Sequence, residues 1–431
     1  MSAMRILQKQ RILFFTALLL SLPFAAASAQ ISAQTEPSPA KAPIRAITAF
    51  VNLDRNRYQI QIVETVKFLK FARTKFESRG YAVQTLRIAT QPFPEYTQGM
   101  SHDETIRFFK SLDAVAEQEK LLISIGPAYL AAGDGDAQAQ LLADILKNTK
   151  SLSGSVMVTD ANKVNLLAVR AAARVIKSLE ETEHSEGNFQ FAALASVPPY
   201  SPFFPAAYHT GNGRQFTIGL QSAGTVKAAF EGAPDIAAAR RRLIDLFFPQ
   251  AFEAENVASS IDQEQGWVYL GQDLSPAPSK DASIGEAIET LSKQPFGASG
   301  TMTVVGMITS VLKEDIAARK VGYSGLMLPI AEDPRLADRW NNGYVSIDAL
   351  LSYSAVCGTG LDTVPLPGDT SVEDIARIIG DVATLSVKWN KPLSARLLPI
   401  AGKHVGERTE FNNPNLIDVV LQPVRPRPSQ P

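Results

Sequence analysis

The chain has 431 residues, 45% hydrophobic and 20% charged, with 42 basic against 43 acidic side chains and a formal net charge of −1. That composition excludes a disordered tail protein, a collagen-like repeat and a multi-span membrane protein, and the balanced charge gives no general attraction to nucleic acid or anionic lipid. A single cysteine excludes an intrachain disulfide framework and any multi-cysteine zinc or iron–sulfur site.

Met1 to Ala29 reads as a secretory signal peptide. Arg5, Lys9 and Arg11 precede the apolar run Ile12–Leu22, Pro23 breaks the helix, and Ala27-Ser28-Ala29 is an A-x-A cleavage site. That run falls well short of the roughly 20 residues a bilayer span needs. The expectation is therefore a secreted or periplasmic protein with no stable membrane insertion after cleavage. Residues 30–43 are rich in Pro, Ala and small polar groups and read as a flexible linker. Residues 44–411 read as a single domain, and 412–431 as an extended or disordered tail.

Within the domain, ten β-rich runs alternate with helical patterns. The strand candidates are Ile44–Leu53, Ala82–Ala89, Leu121–Ile125, Ser155–Thr159, Phe189–Val197, Phe216–Gln221, Trp267–Leu270, Gly325–Ile330, Thr363–Leu366 and Ala395–Ile400. After the first of them, Ile62, Val66, Leu69, Ala72 and Phe76 recur at helical spacing, and Gly80 stands where a C-cap glycine belongs. Further helical patterns include Asp103–Glu119, Ala137–Asn148, Lys163–Leu179, Ala233–Phe248, Ile284–Ser292, Thr303–Ala318 and Val372–Asn390. Such alternation predicts an α/β fold with a largely parallel sheet and helices on its faces. A closed barrel and an open doubly wound sheet both satisfy it; ten strands favour closure. The chain has no internal repeat to support an eight-stranded barrel, and no G-x-G-x-x-G follows the first strand.

Ligands in such folds sit beyond the carboxyl ends of the strands. There the sequence places Asp54, Asp273 with Ser275, Glu332 with Asp333, and Asp369. Asp54, Asp273, Glu332 and Asp362 together could hold a divalent metal ion, or share acid–base work. The competing role is helix capping, which Asp and Ser favour. Cys357 lies in SAVCGTGLDTVPLPGDT and is either a nucleophile, with Asp362 and Asp273 as its catalytic partners, or a small buried hydrophobe. Arg396 and Lys403 are candidate receivers of an anionic group. His209 and Arg214 frame a glycine-containing loop, and Gln221 and Ser324 complete the substrate-contact candidates. Neither H-E-x-x-H nor G-x-S-x-G is present, which argues against a zinc hydrolase or a Ser-His-Asp hydrolase.

The segments YHTGNGRQFTIGLQSA, SIGEAIETL, VGYSGLMLPIAED, SAVCGTGLDTVPLPGDT and ARLLPIAGKHVGERTEF resemble the domain-of-unknown-function 711 family. That family is called PFL-like because its fold is similar to the ten-stranded α/β barrel of pyruvate formate-lyase, a glycyl-radical enzyme. The resemblance runs from about Ile44 to Phe411 and is strongest after Tyr208. It implies the ten-stranded barrel and brings no activity with it. Glycyl-radical chemistry would need a glycine near the chain end in an R-V-x-G-Y context. Here the nearest match is Lys320-Val321-Gly322-Tyr323, mid-chain, and no glycine follows Gly406, so a radical cofactor is not expected. Two readings result. One is an exported enzyme or metal-dependent binder of a small polar or anionic metabolite. The other is a non-catalytic envelope protein that binds a metabolite or protein partner on the same scaffold. Oligomerisation, including pairing through Cys357, is compatible with either.

Overall fold

The computed structural model describes residues 41–128, 135–160, 163–279 and 281–424. The expected signal peptide, all but the last residues of the expected linker, and residues 425–431 lie outside them.

Strands β1 (Ile44–Val51), β2 (Val83–Thr90), β3 (Leu122–Ala128) and β4 (Leu152–Met157) are followed by a two-stranded ribbon of β5 (Thr159–Asp160) and β6 (Lys163–Val164). Then come β7 (Phe191–Ala195), β8 (Gln215–Leu220), β9 (Val268–Asp273), β10 (Gly360–Pro367) and β11 (Leu393–Ile400). Nine of these form one sheet in the order β10-β11-β7-β4-β3-β2-β1-β8-β9. Strands β1, β2, β3, β4 and β7 run parallel to one another. The pairs β8/β9 and β10/β11 are each parallel internally, and they join the first group antiparallel at β1/β8 and β11/β7. The sheet is thus large and mostly parallel, and its two antiparallel seams are foreign to the eight-stranded parallel barrel.

Nine of the ten expected strands are present, with shifted ends. The exception is Gly325–Ile330, which is irregular because Gly322 (φ 64°) and Ser324 (φ 42°) turn the backbone out of the extended region just before it. Together with residues 319–321 just before it, this segment is nevertheless bonded to both outermost strands. Gln272 of β9 bridges Lys320 and Asp362 of β10 bridges Pro329, each in parallel sense. The Gln272 and Ile330 amides donate to the Arg319 and Asp362 carbonyls at 2.8 and 3.1 Å.

The helices follow their sequence signals closely. Ile62, Val66, Leu69, Ala72 and Phe76 form the buried stripe of helix Tyr58–Ser78, and Gly80 (φ 82°) follows its end. Helix His102–Glu119 opens with a capping box between Ser101 and Glu104. The largest misreading is helix Ile236–Gln265, expected to stop at Phe248, which instead continues through Pro249. Among the described residues no helix is long and apolar enough to cross a membrane. Residues 412–424, within the expected tail, lack helices and extended strands but are partly packed. Leu416, Val419 and Leu421 are buried, and the Trp340 indole donates to the Val420 carbonyl at 2.8 Å.

Strand alternation sorts the sheet into two unlike faces. Ile47, Leu86, Ile88, Ile218 and Leu397 join the helices in the main core. The opposite face carries Thr48, Arg87, Ser155, Thr217, Ser394 and Arg396, a run of polar and charged groups that are almost all buried. An apolar plug of Ala192, Leu194, Phe203, Tyr323 and Met327 also lies on that side.

Candidate functional site

The polar face opens into a cavity of about 880 Å³. Its wall combines the starts of β1 and β2, through Arg45, Thr85 and Arg87, with the ends of β8 and β9, through Gly219, Gln221 and Asp273. The antiparallel β1/β8 seam causes this: it sets the amino ends of one strand group beside the carboxyl ends of the other. Arg396 of β11 also lines the cavity.

Arg396 is almost fully buried and donates through Nη1 to Asp362 Oδ1 at 2.8 Å and to Glu332 Oε1 at 3.2 Å. Its Nη2 donates to the Phe189 carbonyl at 3.0 Å, and its guanidinium stands 4.7 Å from the Phe189 ring centroid. Burial raises the Glu332 carboxyl above the ordinary range, with the Arg396 charge opposing that rise. Arg45 and Arg87 differ in having no ion pair among the described residues. Arg87 Nη1 donates to the Pro202 carbonyl at 2.9 Å, while Arg87 Nε and Arg45 Nη1 are buried without a hydrogen-bond partner. Burial lowers the pKa of both guanidiniums; repulsion from Arg45 and Arg396 adds to it at Arg87. Three guanidiniums therefore share one cavity, and one of them is in ion-pair contact with carboxylates.

Asp273, a proposed catalytic and metal residue, does line this cavity, but backbone donors occupy its oxygens. Oδ1 accepts from the Ser275 and Ser324 amides at 2.9 and 3.1 Å, and Oδ2 from the Tyr323 amide at 3.0 Å. Burial raises its pKa against those hydrogen bonds. A Cβ on Gly322 would fall 2.3 Å from Asp273 Oδ2, so this glycine serves the turn around that carboxylate. Ser275 lines the cavity and Ser324 supports it, with its Oγ accepting from the Leu274 amide at 3.3 Å. Gln221 donates to the Ala277 carbonyl at 2.7 Å, fixing the rim.

The remaining candidates lie elsewhere. The four carboxylates proposed as metal ligands do not assemble. Asp54 holds an exposed turn by accepting from the Asn56 amide, Asp273 is saturated by backbone, and Glu332 and Asp362 are committed to Arg396. Among the described residues no group of three or more His, Cys, Asp or Glu side chains could hold a metal ion. Cys357 is fully buried in the main core, with the Gly360 amide 3.5 Å from its sulfur, and it does not line the cavity. Arg214 is exposed over the Trp267 ring at 5.7 Å, and Lys403 pairs with Glu410 at 2.8 Å.

His209 is structural. Its Nε2 lies 2.8 Å from the Val51 carbonyl and its Nδ1 accepts from the Gly211 amide at 3.2 Å, an arrangement that suits the neutral ring. Burial lowers its pKa below the ordinary 6.5. A depressed histidine contributes stability that is complete above the unfolded-state value and is lost as pH falls through the folded-state value. Between about pH 7 and pH 5, His209→Gln should therefore lose less stability than the parent in urea titrations. Identical losses in both proteins would refute that role.

Arg45 and Arg87, the cavity guanidiniums without an ion pair among the described residues, were not among the residues singled out from sequence. Their signal is nonetheless present as a single arginine inside each of the apolar runs IRAITAFV and VQTLRIAT.

A family profile described as "Uncharacterised ACR (DUF711)" matches residues 38–413. UPF0210 proteins of Pyrobaculum islandicum and Pyrobaculum aerophilum are each 31% identical to the chain, over 79% and 84% of it and 79% and 86% of their own lengths. A UPF0210 protein of Acetivibrio thermocellus is 30% identical over 77% of both chains. Among solved structures, the anaerobic ribonucleotide reductase from Thermotoga maritima, in complex with dATP and CTP, covers 88% of this chain and 79% of its own at 8% identity and a TM-score of 0.39. A likeness that slight adds nothing to the description of the sheet.

Proposed function

Because the chain belongs to the DUF711 family, with UPF0210 proteins as its relatives, we propose that it is an exported PFL-like barrel protein that binds a small anionic metabolite inside the barrel. The observation that carries this reading is the group of Arg45, Arg87 and Arg396 at one cavity, with buried nitrogens left over on each. Desolvated guanidiniums are costly unless an anion completes their hydrogen bonds. Ring closure is part of the reading, since residues 319–331 run parallel between β9 and β10 and touch both through single bridges. With that segment counted, two groups of five parallel elements would enclose the polar face, which then becomes an interior. Export rests on the signal pattern of residues 1–29.

Binding without catalysis suits the wall better than a reaction does. Asp273 has no unoccupied carboxylate oxygen to act as a base, and the thiol of Cys357 sits in the core. The test is native mass spectrometry of protein expressed with its own leader and recovered without dialysis. The expected mass is that of a chain starting at Gln30 plus a small acidic molecule, which is lost in Arg45→Gln and Arg87→Gln. A bare polypeptide that also fails to bind any carboxylate or phosphate in titrations would reject the reading.

A further inference from the structure

Charge bookkeeping in the cavity, together with strand register, says more about the ligand. This step rests on the anion-binding reading. Asp362 and Glu332 both contact Arg396, so Arg45 and Arg87 are the cavity guanidiniums without a carboxylate in ion-pair contact among the described residues. They stand on adjacent parallel strands, where Ala46 pairs with Thr85 and Thr48 with Arg87. Arg45 is thus displaced along the sheet by about three residues, roughly 10 Å, a gap that two side chains of arginine length can close onto one group.

Beside them the floor of the cavity is low. Ala46 and Gly219 are register partners across the β1/β8 seam, and a Cβ added to Gly219 would meet only Pro202 Cγ, at 3.9 Å. The next pair on the same face is Thr48 with Thr217, and both threonine hydroxyls are buried without hydrogen-bond partners. Two guanidiniums without an ion-pair contact among the described residues thus stand on neighbouring strands at the cavity, with the Thr48–Thr217 pair on the same face of the sheet but outside the cavity lining. A single carboxylate would balance one cation and leave the other repelled and dry. A tetrahedral headgroup with two negative charges and three terminal oxygens offers acceptors to both cations at once.

We infer that the cavity takes a phosphomonoester-type dianion, with its headgroup between Arg45 and Arg87. The group can arrive as free phosphate or as the phosphate of a small metabolite whose remainder occupies the rest of the 880 Å³.

Calorimetric titration of the full mature chain tests this, with inorganic phosphate, glycerol phosphate, acetate and succinate as probes. Phosphate and its ester should bind, and acetate and succinate should not compete. Affinity should fall about tenfold for each pH unit below the second pKa of the headgroup, which is near 6 for the ester and higher for inorganic phosphate, as the dianion disappears. An ester that outbinds free phosphate identifies a phosphorylated metabolite as the source; equal affinities identify phosphate itself. Arg45→Gln and Arg87→Gln should each weaken binding by at least about tenfold, while Lys403→Gln leaves it unchanged, with melting curves checking that each variant folds. Binding of succinate or acetate, sensitive to Arg45 and with phosphate inert, overturns the dianion inference and leaves the anion reading standing. Phosphate affinity that is flat with pH, or indifferent to both arginines, also overturns it. If none of the four probes binds, both readings fail.

Discussion

Arg396→Met should destabilise the protein by about 3–5 kcal/mol, the range observed when one partner of a buried ion pair is removed. The side chain of Asp362 is fully buried and that of Glu332 nearly so, and Arg396 is the cation that faces both, at 2.8 and 3.2 Å. Methionine fills a similar volume but donates nothing, so two carboxylates and the Phe189 carbonyl lose their donor together. Burial already pushes Glu332 toward its neutral form, and without Arg396 the Arg45 charge alone opposes that push. Protonation of the stranded carboxyls would absorb part of the loss, which makes the variant recover somewhat as pH falls. Urea denaturation at neutral and acidic pH measures both effects. The double variant Arg396→Met/Asp362→Leu separates pairing from packing, because an apolar replacement of the whole pair is often tolerated. It should regain most of the loss. A single variant as stable as the parent would mean that Arg396 contributes nothing to the fold and exists for the ligand alone.

The sequence made some of this legible and hid the rest for definite reasons. Helix Tyr58–Ser78 and strand β1 were readable because period and caps are local properties, and their stripes are the ones buried. Asp273, Ser275, Gln221 and Arg396 were also picked out, as polar groups at or within strand candidates, and all four line the cavity. Arg45 and Arg87 carry no such sign, because both stand on the amino-terminal side of the cavity rim, away from the strand carboxyl ends where ligands of such folds gather. Only strand direction across the β1/β8 seam brings them to Asp273, and no local pattern encodes that direction. Roles were harder to read than places. Whether Asp273 is a free carboxylate or a tied one depends on the backbone of Gly322 to Ser324, fifty residues away. Cys357 drew notice as the single thiol, and its burial is decided by the packing of residues distant in sequence.

Glu332 and Asp333 make the same point as adjacent acids with opposite duties. Glu332 faces Arg396, whereas Asp333 joins the starts of two helices. Its Oδ1 accepts from Ser283 Oγ at 2.6 Å and from the Arg335 and Leu336 amides at 2.9 and 3.0 Å. Its Oδ2 accepts from the Ile284 and Gly285 amides at 2.6 and 3.3 Å. One carboxylate thus meets the positive ends of helices Pro334–Asn341 and Ile284–Ser292, in a site sealed from solvent. Asp333→Ala strips five donors at once. Caps contribute about 0.5–2 kcal/mol each and a buried donor without a partner costs about 1–3 kcal/mol, so the expected loss is about 3–5 kcal/mol after relaxation. Asn at this position keeps one acceptor and the local turn, and should lie between parent and alanine variant. The damage should also reach the cavity, because Glu332 is held in place only if its neighbour is, and a displaced Glu332 leaves Arg396 with Asp362 alone. Asp333→Asn should therefore shift anion affinity less than Asp333→Ala does, in the same order as their stabilities. An alanine variant within about 1 kcal/mol of the parent would fall outside what a lost buried cap allows, and would show that solvent reaches these helix ends and replaces the carboxylate.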